Sequence, residues 1–551
     1  MVNKFFFKGL LLVSLIGQQT AWAQTGVRQA PAPEAKPKLV IGIVIDQMRY
    51  DYLYRYAAKY GSGGFRRLMG QGFNSKNAQY PYVPTYTAPG HSSIFTGSIP
   101  AISGIVGNDW YSKTTHKDVY CTDDSTVHTI GAPGKAGQMS PNNLLVTTIT
   151  DQLRLSNNFH SRVIGISQKD RASILPAGHT ANAAYWLDSQ SGNFITSSYY
   201  LDTLPDWVNT FNARKLPDAY LSAPWNTLLP ITDYTESTAD NQPYESMLPG
   251  ETVPVFPHDL PAIRKKDLEL IRSTPFGNSL TKDFAIACLE KEQLGKKGYT
   301  DFMTLSFSST DYVGHAFGPY SVEVEDTYLR LDKTLQELLT YLDTYIGQDN
   351  VLIFLTADHG VANVPAFNAE HKLPGGVLDP AIYTLINWTL ANKFNAPGLV
   401  DYNINDQLYL NEQLMTEKHL SRADVFETVN TAIMTTDGIH GLIDLHHMSA
   451  SLIPDAELSF FKNGFNEKRS GDFQLVTEPG WFFGHSKGTT HGTYSTYDTH
   501  VPLLWYGWNI KKGESSERVS ISDIAPTLAS MLDLLEPSGS IGKVIGLPLK
   551  K

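Results

Sequence analysis

The stretch KLVIGIVIDQM, residues 38–48, decides the fold class of this chain. An unbroken apolar run that ends at Asp46 is typical of a strand buried on both faces of a parallel sheet. Amphipathic segments such as residues 321–346 alternate with such runs. We therefore predict an α/β fold with a mostly parallel central sheet that helices cover on both faces. Further apolar runs of this kind are TDFMTLSF at 300–307, VLIFLT at 351–356 and VPLLWYGW at 501–508.

The beginning of the chain is typical of an exported protein. Lys4 and Lys8 precede a short apolar stretch that ends in AWA at residues 21–23, as in a cleavable signal peptide. The stretch is too short to cross a bilayer core of about 30 Å. We predict a signal peptide at 1–23 with cleavage near Ala23, and a periplasmic or secreted protein without a membrane span after cleavage.

Composition changes divide the rest of the chain. Residues 24–38 are rich in Pro and Ala and are expected to form a linker. Residues 39–551 are predicted to form one catalytic domain. Two stretches in it, at about 178–275 and 367–485, break the alternation of strands and helices. We interpret them as insertions that form a cap over the active site.

Charge and cysteine content exclude several classes of protein. The formal net charge of −11 argues against nucleic acid or an anionic membrane as a dedicated partner. Cys121 and Cys288 are the only cysteines, too few for a disulfide scaffold or a thiolate zinc finger. Whether the two form a disulfide stays open, although an apolar helical setting favours a buried free thiol at Cys288.

Carboxylates and imidazoles follow several of the predicted strands. A single aspartate in such a position is often only a turn residue or a helix cap. Ligands in a parallel sheet bind beyond the carboxyl ends of the strands, however, so side chains there meet. Oxygen and imidazole ligands suit zinc or a similar divalent ion, and a pair of ions would support an in-line displacement. The residues concerned are Asp46, Asp311, His315, Asp358, His359 and His491.

Thr87 has two interpretations that the local sequence leaves open. It precedes Ala88-Pro89-Gly90, so it is expected to be the N-cap of a helix whose first residue is Pro89. The same position offers a phosphate the free N–H groups of the helix. A threonine hydroxyl becomes a nucleophile only beside a base or a metal ion. Lys169 and Arg171 are similarly either a phosphate-binding pair or a solvated basic turn.

Seven motifs in order resemble the alkaline phosphatase superfamily, and within it the PafA-type secreted alkaline phosphatases, which are related to nucleotide pyrophosphatase/phosphodiesterases. The resemblance covers nearly all of the chain after the linker and implies an alkaline-phosphatase-like core with two Zn2+ per chain. The motifs are VIDQMRYDYL, PTYTAPGHSSIFTG, GNDWY, KDRASILPAGH, SFSSTDYVGHAFG, TADHG and GTTHGTYSTYDTHVPLL.

The resemblance also implies roles for particular residues. Thr87 would be the nucleophile, forming a phosphothreonine intermediate. Asp311, His315 and His491 would hold one ion. Asp46, Thr87, Asp358 and His359 would hold the other. The substrate phosphate would contact Asn108, Lys169 and Arg171.

We therefore predict a zinc-dependent alkaline phosphatase, a phosphoric monoester hydrolase of broad specificity that acts on small molecules as a monomer. The alternative is a phosphodiesterase or nucleotide pyrophosphatase on the same bimetal core. A non-enzymatic binding protein is disfavoured because every implied ligand is present. A sulfatase is disfavoured because neither cysteine lies in a C/S-x-P-x-R context.

Overall fold

A mixed sheet of eleven strands dominates the computed structural model, counted over the residues it describes, 36–264, 268–484 and 486–550. The predicted signal peptide and most of the linker lie outside those residues. The chain divides into two units, Met1–Lys36 and Pro37–Lys551, and every described helix and strand belongs to the second. The strands are β1 Leu39–Ile45, β2 Phe73–Gln79, β3 Thr129–Ile130, β4 Val163–Ile166, β5 Ala183–Asp188, β6 Asn193–Ser197, β7 Asp301–Phe307, β8 Val351–Thr356, β9 His500–Val501, β10 Leu503–Gly507 and β11 Gly513–Ser520.

The strand order is β9-β2-β10-β8-β1-β7-β4-β5-β6-β3, and β11 pairs with β2. The central strands from β8 to β5 are parallel to their neighbours. Antiparallel pairs flank them, β10 against β8 on one side and β6 against β5 on the other. The predicted α/β fold with a mostly parallel centre is confirmed. On one side of this centre, β9 and β10 pair with β2 in antiparallel fashion and β11 pairs with β2 in parallel.

The β1 strand occupies the centre because its sequence can be buried completely. All of its residues are buried, and it pairs in register with β7 and β8. A Cβ on Gly42 would lie 2.5 Å from the Phe354 ring and 2.9 Å from the Phe95 ring. Glycine at this position therefore lets two aromatic rings pack directly on the central strand.

Helices connect the strands, and five of them are labelled α1 to α5. They are α1 Thr87–Thr96, α2 Asp170–Ala177, α3 Phe276–Glu292, α4 Ser309–Phe317 and α5 Val322–Tyr345. The predicted amphipathic helix at 321–346 is α5. The remaining α-helices of the described residues are Tyr52–Arg55, Phe65–Gln71, Pro100–Ser103, Ile149–Ser156, Asp206–Ala213, Leu216–Tyr220, Leu260–Ile263, Pro365–Glu370, Ala381–Phe394, Glu412–Glu417, Arg422–Ile433, Asp455–Gly464, Thr496–Thr499 and Ile524–Met531.

Smaller sheets lie outside the main one. Asp109–Ser112 and Lys117–Tyr120 form a hairpin. Gly376–Leu378 pairs in parallel with Trp481–Phe483. A four-stranded sheet has the order Val400–Ile404, Gln407–Leu410, Phe473–Thr477 and Ile439–Asp444. This last sheet and the Ala381–Phe394 and Arg422–Ile433 helices share a separate hydrophobic core.

Two further observations concern predictions made from the sequence. Among the described residues, no helix is long and apolar enough to cross a membrane. Cys121 and Cys288 are both buried and both are free thiols. The question of a disulfide is thus answered in favour of the buried thiols.

Candidate active site

Asp311, His315 and His491 form a group of side chains that fits one metal ion. One ligand atom from each lies within 4.8 Å of the others. The first two occupy one face of α4, with His315 Nε2 at 3.1 Å from Asp311 Oδ1. Backbone carbonyls orient both rings, because Nδ1 of His315 contacts Thr489 O at 2.8 Å and Nδ1 of His491 contacts Thr85 O at 2.7 Å. Each Nε2 is thereby left for a ligand.

Asp46, Asp358 and His359 form a second group with the same property. Asp46 follows β1 directly, and Asp358 and His359 follow the neighbouring β8. His359 Nε2 lies 3.6 Å from Asp46 Oδ1 and 3.6 Å from Asp358 Oδ2. All three side chains are buried. The register of two parallel strands thus places these residues together, as the sequence predicts.

The second group fits a divalent cation because four of its polar atoms lack hydrogen-bond partners. Both carboxylate oxygens of Asp46, Oδ2 of Asp358 and Nε2 of His359 are buried without a hydrogen bond. Burying such atoms unpaired is costly, whereas a cation would satisfy them together. Burial, followed by repulsion from Asp358, raises the pKa of Asp46 well above its usual value. Carboxylate oxygens and imidazole nitrogens suit zinc and other borderline divalent ions.

Lys169 links the two groups. Its Nζ donates a hydrogen bond to Asp311 Oδ2 at 2.6 Å and lies 2.7 Å from Asp46 Oδ2, without hydrogen-bond geometry to the latter. Burial opposes the lysine charge, but Asp311 and Asp46 outweigh it and raise the pKa of Lys169. The side chain is buried, so the alternative of a solvated basic turn does not apply to Lys169.

Thr87 is the first residue of α1 rather than its cap. The cap position belongs to Tyr86, whose backbone is extended, and its side chain makes no capping hydrogen bond. The first backbone bond of the helix runs from Gly90 N to Tyr86 O at 2.9 Å. The predicted start at Pro89 is therefore wrong by two residues. Proline, which has no backbone N–H, is accepted at the third helical position because the N–H groups of the first turn have no hydrogen-bond partner within the helix.

Asn108 holds the first turn of α1 from outside. Its Oδ1 accepts a hydrogen bond from Ala88 N at 2.9 Å. This hydrogen bond fixes the orientation of the planar side-chain amide. The Nδ2 donor lies in the same plane and points away from Ala88 N. The structure thus brings Asn108 to the helix turn that begins with Thr87.

Arg171 lies in the first turn of α2. Its Nη1 donates to Tyr120 Oη at 3.0 Å, and its Nε is buried without a hydrogen-bond partner. Burial opposes the charge, but Tyr120 and Asp170 outweigh it and raise the pKa of Arg171 well above its usual value. A half-buried, charged guanidinium with a free donor suits an anionic ligand.

The structure adds Gln47 to the residues identified from the sequence. Its backbone N–H donates to Asp358 Oδ1 at 3.1 Å and its Nε2 to Asp311 Oδ1 at 2.9 Å, so it connects the two candidate metal-binding groups. Gln47 has a positive φ of 62°, which no sequence pattern predicts for glutamine. In the sequence, only its position directly after Asp46 indicates that it belongs to the site.

A family of known proteins matches most of the chain. The family described as type I phosphodiesterase / nucleotide pyrophosphatase matches residues 40–502. This span contains every site residue discussed above.

Several relatives resemble the chain over nearly its whole length. Alkaline phosphatase PhoV of Synechococcus elongatus is 46% identical over 97% of each chain. Alkaline phosphatase PafA of Elizabethkingia meningoseptica is 47% identical over 93% of this chain and 94% of its own. A protein of Myroides odoratus named calcium-transporting ATPase is 48% identical over 93% of this chain and 94% of its own.

A solved structure supports the same relationship. The crystal structure of wild-type alkaline phosphatase PafA superposes on this chain with a TM-score of 0.91 at 46% identity, and it covers 93% of this chain and 99% of that one. The agreement therefore extends to the whole fold and is not confined to the metal-binding motifs.

Proposed function

The chain belongs to the type I phosphodiesterase / nucleotide pyrophosphatase family, and we propose that it is an alkaline phosphatase, a hydrolase of phosphate monoesters with broad specificity. One observation carries the proposal. Two carboxylate and imidazole groups, each suited to a divalent ion, are joined through Lys169. Phosphoryl transfer requires such positioned positive charge more than it requires covalent help from the protein.

We further propose that both ions are Zn2+. Asp311, His315 and His491 would hold one, and Asp46, Asp358, His359 and the Thr87 oxygen would hold the other. When bound, the pair would supply the positive charge that favours ionisation of a nearby hydroxyl and stabilises the attacking and leaving oxygens of an in-line displacement. The unpartnered buried atoms of Asp46, Asp358 and His359 support this assignment.

Thr87 is the proposed nucleophile. Its hydroxyl loses a proton, its Oγ forms a bond to phosphorus, and the bond from phosphorus to the alcohol oxygen breaks. The alcohol oxygen takes up a proton, and the product is a phosphothreonine. Water then cleaves this ester and releases inorganic phosphate. The start of α1 at Thr87 supports the role, since it places the hydroxyl at the positive end of a helix, which attracts a phosphate.

Three side chains would bind the phosphoryl oxygens. Asn108 would donate from Nδ2 while its Oδ1 remains bonded to Ala88 N. Arg171 would donate through guanidinium N–H groups, and Lys169 would supply a compact charge. Two cations suit the nearly double charge of a monoester, whereas a diester carries a single charge and needs room for a second organic group. The comparison of charges therefore favours a phosphate monoester as the substrate.

The experiment that tests this function compares 4-nitrophenyl phosphate with bis(4-nitrophenyl) phosphate, which share a leaving group. We expect a higher kcat/KM for the monoester, and Arg171→Ala should reduce it far more for the monoester than for the diester. Arg171→Lys, which keeps the charge, is the matched variant. A clear preference for the diester would establish the phosphodiesterase or nucleotide pyrophosphatase alternative instead. Zinc content should be measured on the same sample.

The proposal also includes the division of the chain into a signal peptide, a linker and a catalytic domain. We propose a signal peptide at 1–23, a linker at 24–38 and a catalytic domain at 39–551 with insertions at about 178–275 and 367–485. A protein of this kind would be periplasmic or secreted and would act as a monomer. The charged n-region and the AWA site of the sequence support export.

A further inference from the structure

Tyr120 ends the hairpin formed by Asp109–Ser112 and Lys117–Tyr120, and its hydroxyl bridges two consecutive residues of α2. Its Oη accepts a hydrogen bond from Arg171 Nη1 at 3.0 Å and donates one to Asp170 Oδ1 at 2.8 Å. The Cζ atom of Arg171 lies 6.0 Å from the centre of the Tyr120 ring. One side chain of the hairpin thus binds the guanidinium with its oxygen and approaches it with its ring.

Asp170 fixes the direction of these hydrogen bonds. Its second oxygen, Oδ2, accepts from Thr122 Oγ1 at 2.6 Å, so residues at the end of the hairpin engage both carboxylate oxygens. Burial raises the pKa of Tyr120 well above its usual value, and the hydroxyl therefore keeps its proton. Because a carboxylate can only accept, this proton is donated to Asp170, and the lone pairs of Oη are left for Arg171.

The same end of the hairpin also holds Asn108. The backbone N–H of Cys121 donates to Asn108 O at 2.9 Å, and Asp109, the next residue after Asn108, pairs with Tyr120 in the hairpin. Asn108 and Arg171 are two of the three side chains proposed to bind the phosphoryl oxygens. Two consecutive residues, Tyr120 and Cys121, therefore fix these two donors relative to each other although they are far apart in the sequence.

Hydrophobic packing keeps the end of the hairpin in place against both helices. Cys121, Ala88 of α1 and Leu175 of α2 belong to one buried cluster, and Tyr120 packs against it. Close packing of this kind restricts the position of Oη, which in turn restricts the guanidinium of Arg171. An arginine side chain loses much rotamer freedom when a ligand fixes it, and a partner that orients it beforehand reduces this cost.

We propose that Tyr120 is a positioning residue of the phosphate site: its hydroxyl, directed by Asp170, holds the Arg171 guanidinium in the orientation that binds a phosphoryl oxygen. The inference rests on the proposed function and deepens it, because Tyr120 acts through Arg171 and not on the phosphate. Tyr120 should therefore matter for the substrates for which Arg171 matters, which are monoesters more than diesters.

The test removes the hydroxyl in Tyr120→Phe, with and without Arg171→Ala, and measures kcat/KM for 4-nitrophenyl phosphate and the Ki of inorganic phosphate. When Arg171 is present, the phenylalanine variant should lose about tenfold in kcat/KM and show a Ki raised by a similar factor, as expected when a hydrogen bond to a charged group is lost. In the Arg171→Ala background the same replacement should change neither value, because the side chain that it positions is absent. Hydrolysis of bis(4-nitrophenyl) phosphate should change little.

Tyr402→Phe is the matched control, because Tyr402 Oη donates to Asp118 Oδ2 of the same hairpin at 2.8 Å. It removes one hydroxyl from a contact of the hairpin and retains the bond between Tyr120 and Arg171, so kcat/KM and Ki should be unchanged.

An equal effect of Tyr120→Phe with and without Arg171, or no effect in either background, would overturn the positioning role while the monoesterase function stands. A preference of the unmodified protein for the diester would instead refute the proposed function. The Ki of inorganic phosphate, measured with the diester as substrate, would then still decide the role of Tyr120.

Discussion

The Lys169 ammonium donates to Asp311 Oδ2 at 2.6 Å while it lies 2.7 Å from Asp46 Oδ2. One buried cation therefore neutralises two carboxylates that belong to different candidate metal-binding groups. Three carboxylates and three imidazoles surround it in those two groups, so a single lysine leaves negative charge uncompensated. Bound divalent ions would neutralise the remaining negative charge. Their removal should therefore lower the stability of the fold as well as the activity.

Chelation with EDTA is expected to abolish monoester hydrolysis and to lower Tm by several degrees. A ligand present at 1,000 times its Kd stabilises the folded state by about 4 kcal/mol. Tm by differential scanning calorimetry and metal content should be measured on one preparation, before chelation and after Zn2+ is restored. The variant Asp358→Asn, which lacks one proposed ligand, should show a smaller shift of Tm. Full activity in a metal-free preparation would contradict the two-ion assignment.

Replacement of Thr87 by alanine is expected to reduce kcat for 4-nitrophenyl phosphate by at least about 10³-fold, because the hydroxyl that attacks phosphorus is lost. The N-cap of α1 is Tyr86 and not Thr87, so the fold should be retained. Thr87→Ser keeps the hydroxyl and serves as the matched variant with measurable turnover. Circular dichroism and zinc content verify the fold of both proteins. An alanine variant with normal turnover would show that the nucleophile is another group.

Asn108→Asp separates the two functions assigned to the Asn108 side chain. Aspartate retains an oxygen that accepts from Ala88 N, whose bond to Asn108 measures 2.9 Å, but it lacks the amide donor. Loss of one donor to a transferring phosphoryl group typically costs about 10²–10³-fold in rate. We expect a loss of that size in kcat/KM for the monoester, with little change in the free energy of unfolding.

Asn108→Ala removes both the acceptor and the donor. It should show the same loss of activity together with a stability loss of about 1 kcal/mol, as expected when a capping side chain is removed. Urea unfolding of both variants provides the comparison. Equal activity in Asn108→Asp and the unmodified protein would remove Asn108 from the phosphate site.

The sequence was sufficient for features that depend on single strands or helices. The apolar run before Asp46 predicts β1, and the spacing of four between Asp311 and His315 predicts their shared face on α4. Individual hydrogen bonds between distant segments were not predictable in this way. The donation from Gln47 to Asp311 spans 264 positions and depends on a positive φ. The start of α1 at Thr87 depends on Asn108, because the side-chain oxygen of Asn108 accepts a hydrogen bond from Ala88 N. A local sequence pattern does not reveal this partner, which lies 20 positions away.

A buried cluster that contains none of the candidate metal ligands indicates how stability depends on pH. His258 is fully buried, with Nδ1 at 2.9 Å from Glu251 Oε1 and Nε2 at 3.4 Å from Glu323 Oε1. Burial lowers its pKa, but the two glutamates outweigh burial and raise the pKa to about 9. Burial, followed by the charge of Glu323, raises the pKa of the neighbouring Glu245 to about 10. Each of these groups binds its proton more tightly in the folded protein than in the unfolded chain.

The sign of the effect follows from these shifts. A group with a raised pKa contributes stability below its unfolded pKa, and this contribution is lost as pH rises through the folded pKa. For His258 the stabilising contribution is lost between about pH 6.5 and pH 9. The complete loss of this contribution lowers the free energy of unfolding by about 3 kcal/mol. The free energy of unfolding in urea should therefore fall between pH 6.5 and 10. In His258→Gln, which stays neutral, the fall should be smaller by about that amount, and the same slope in both proteins would contradict the assignment.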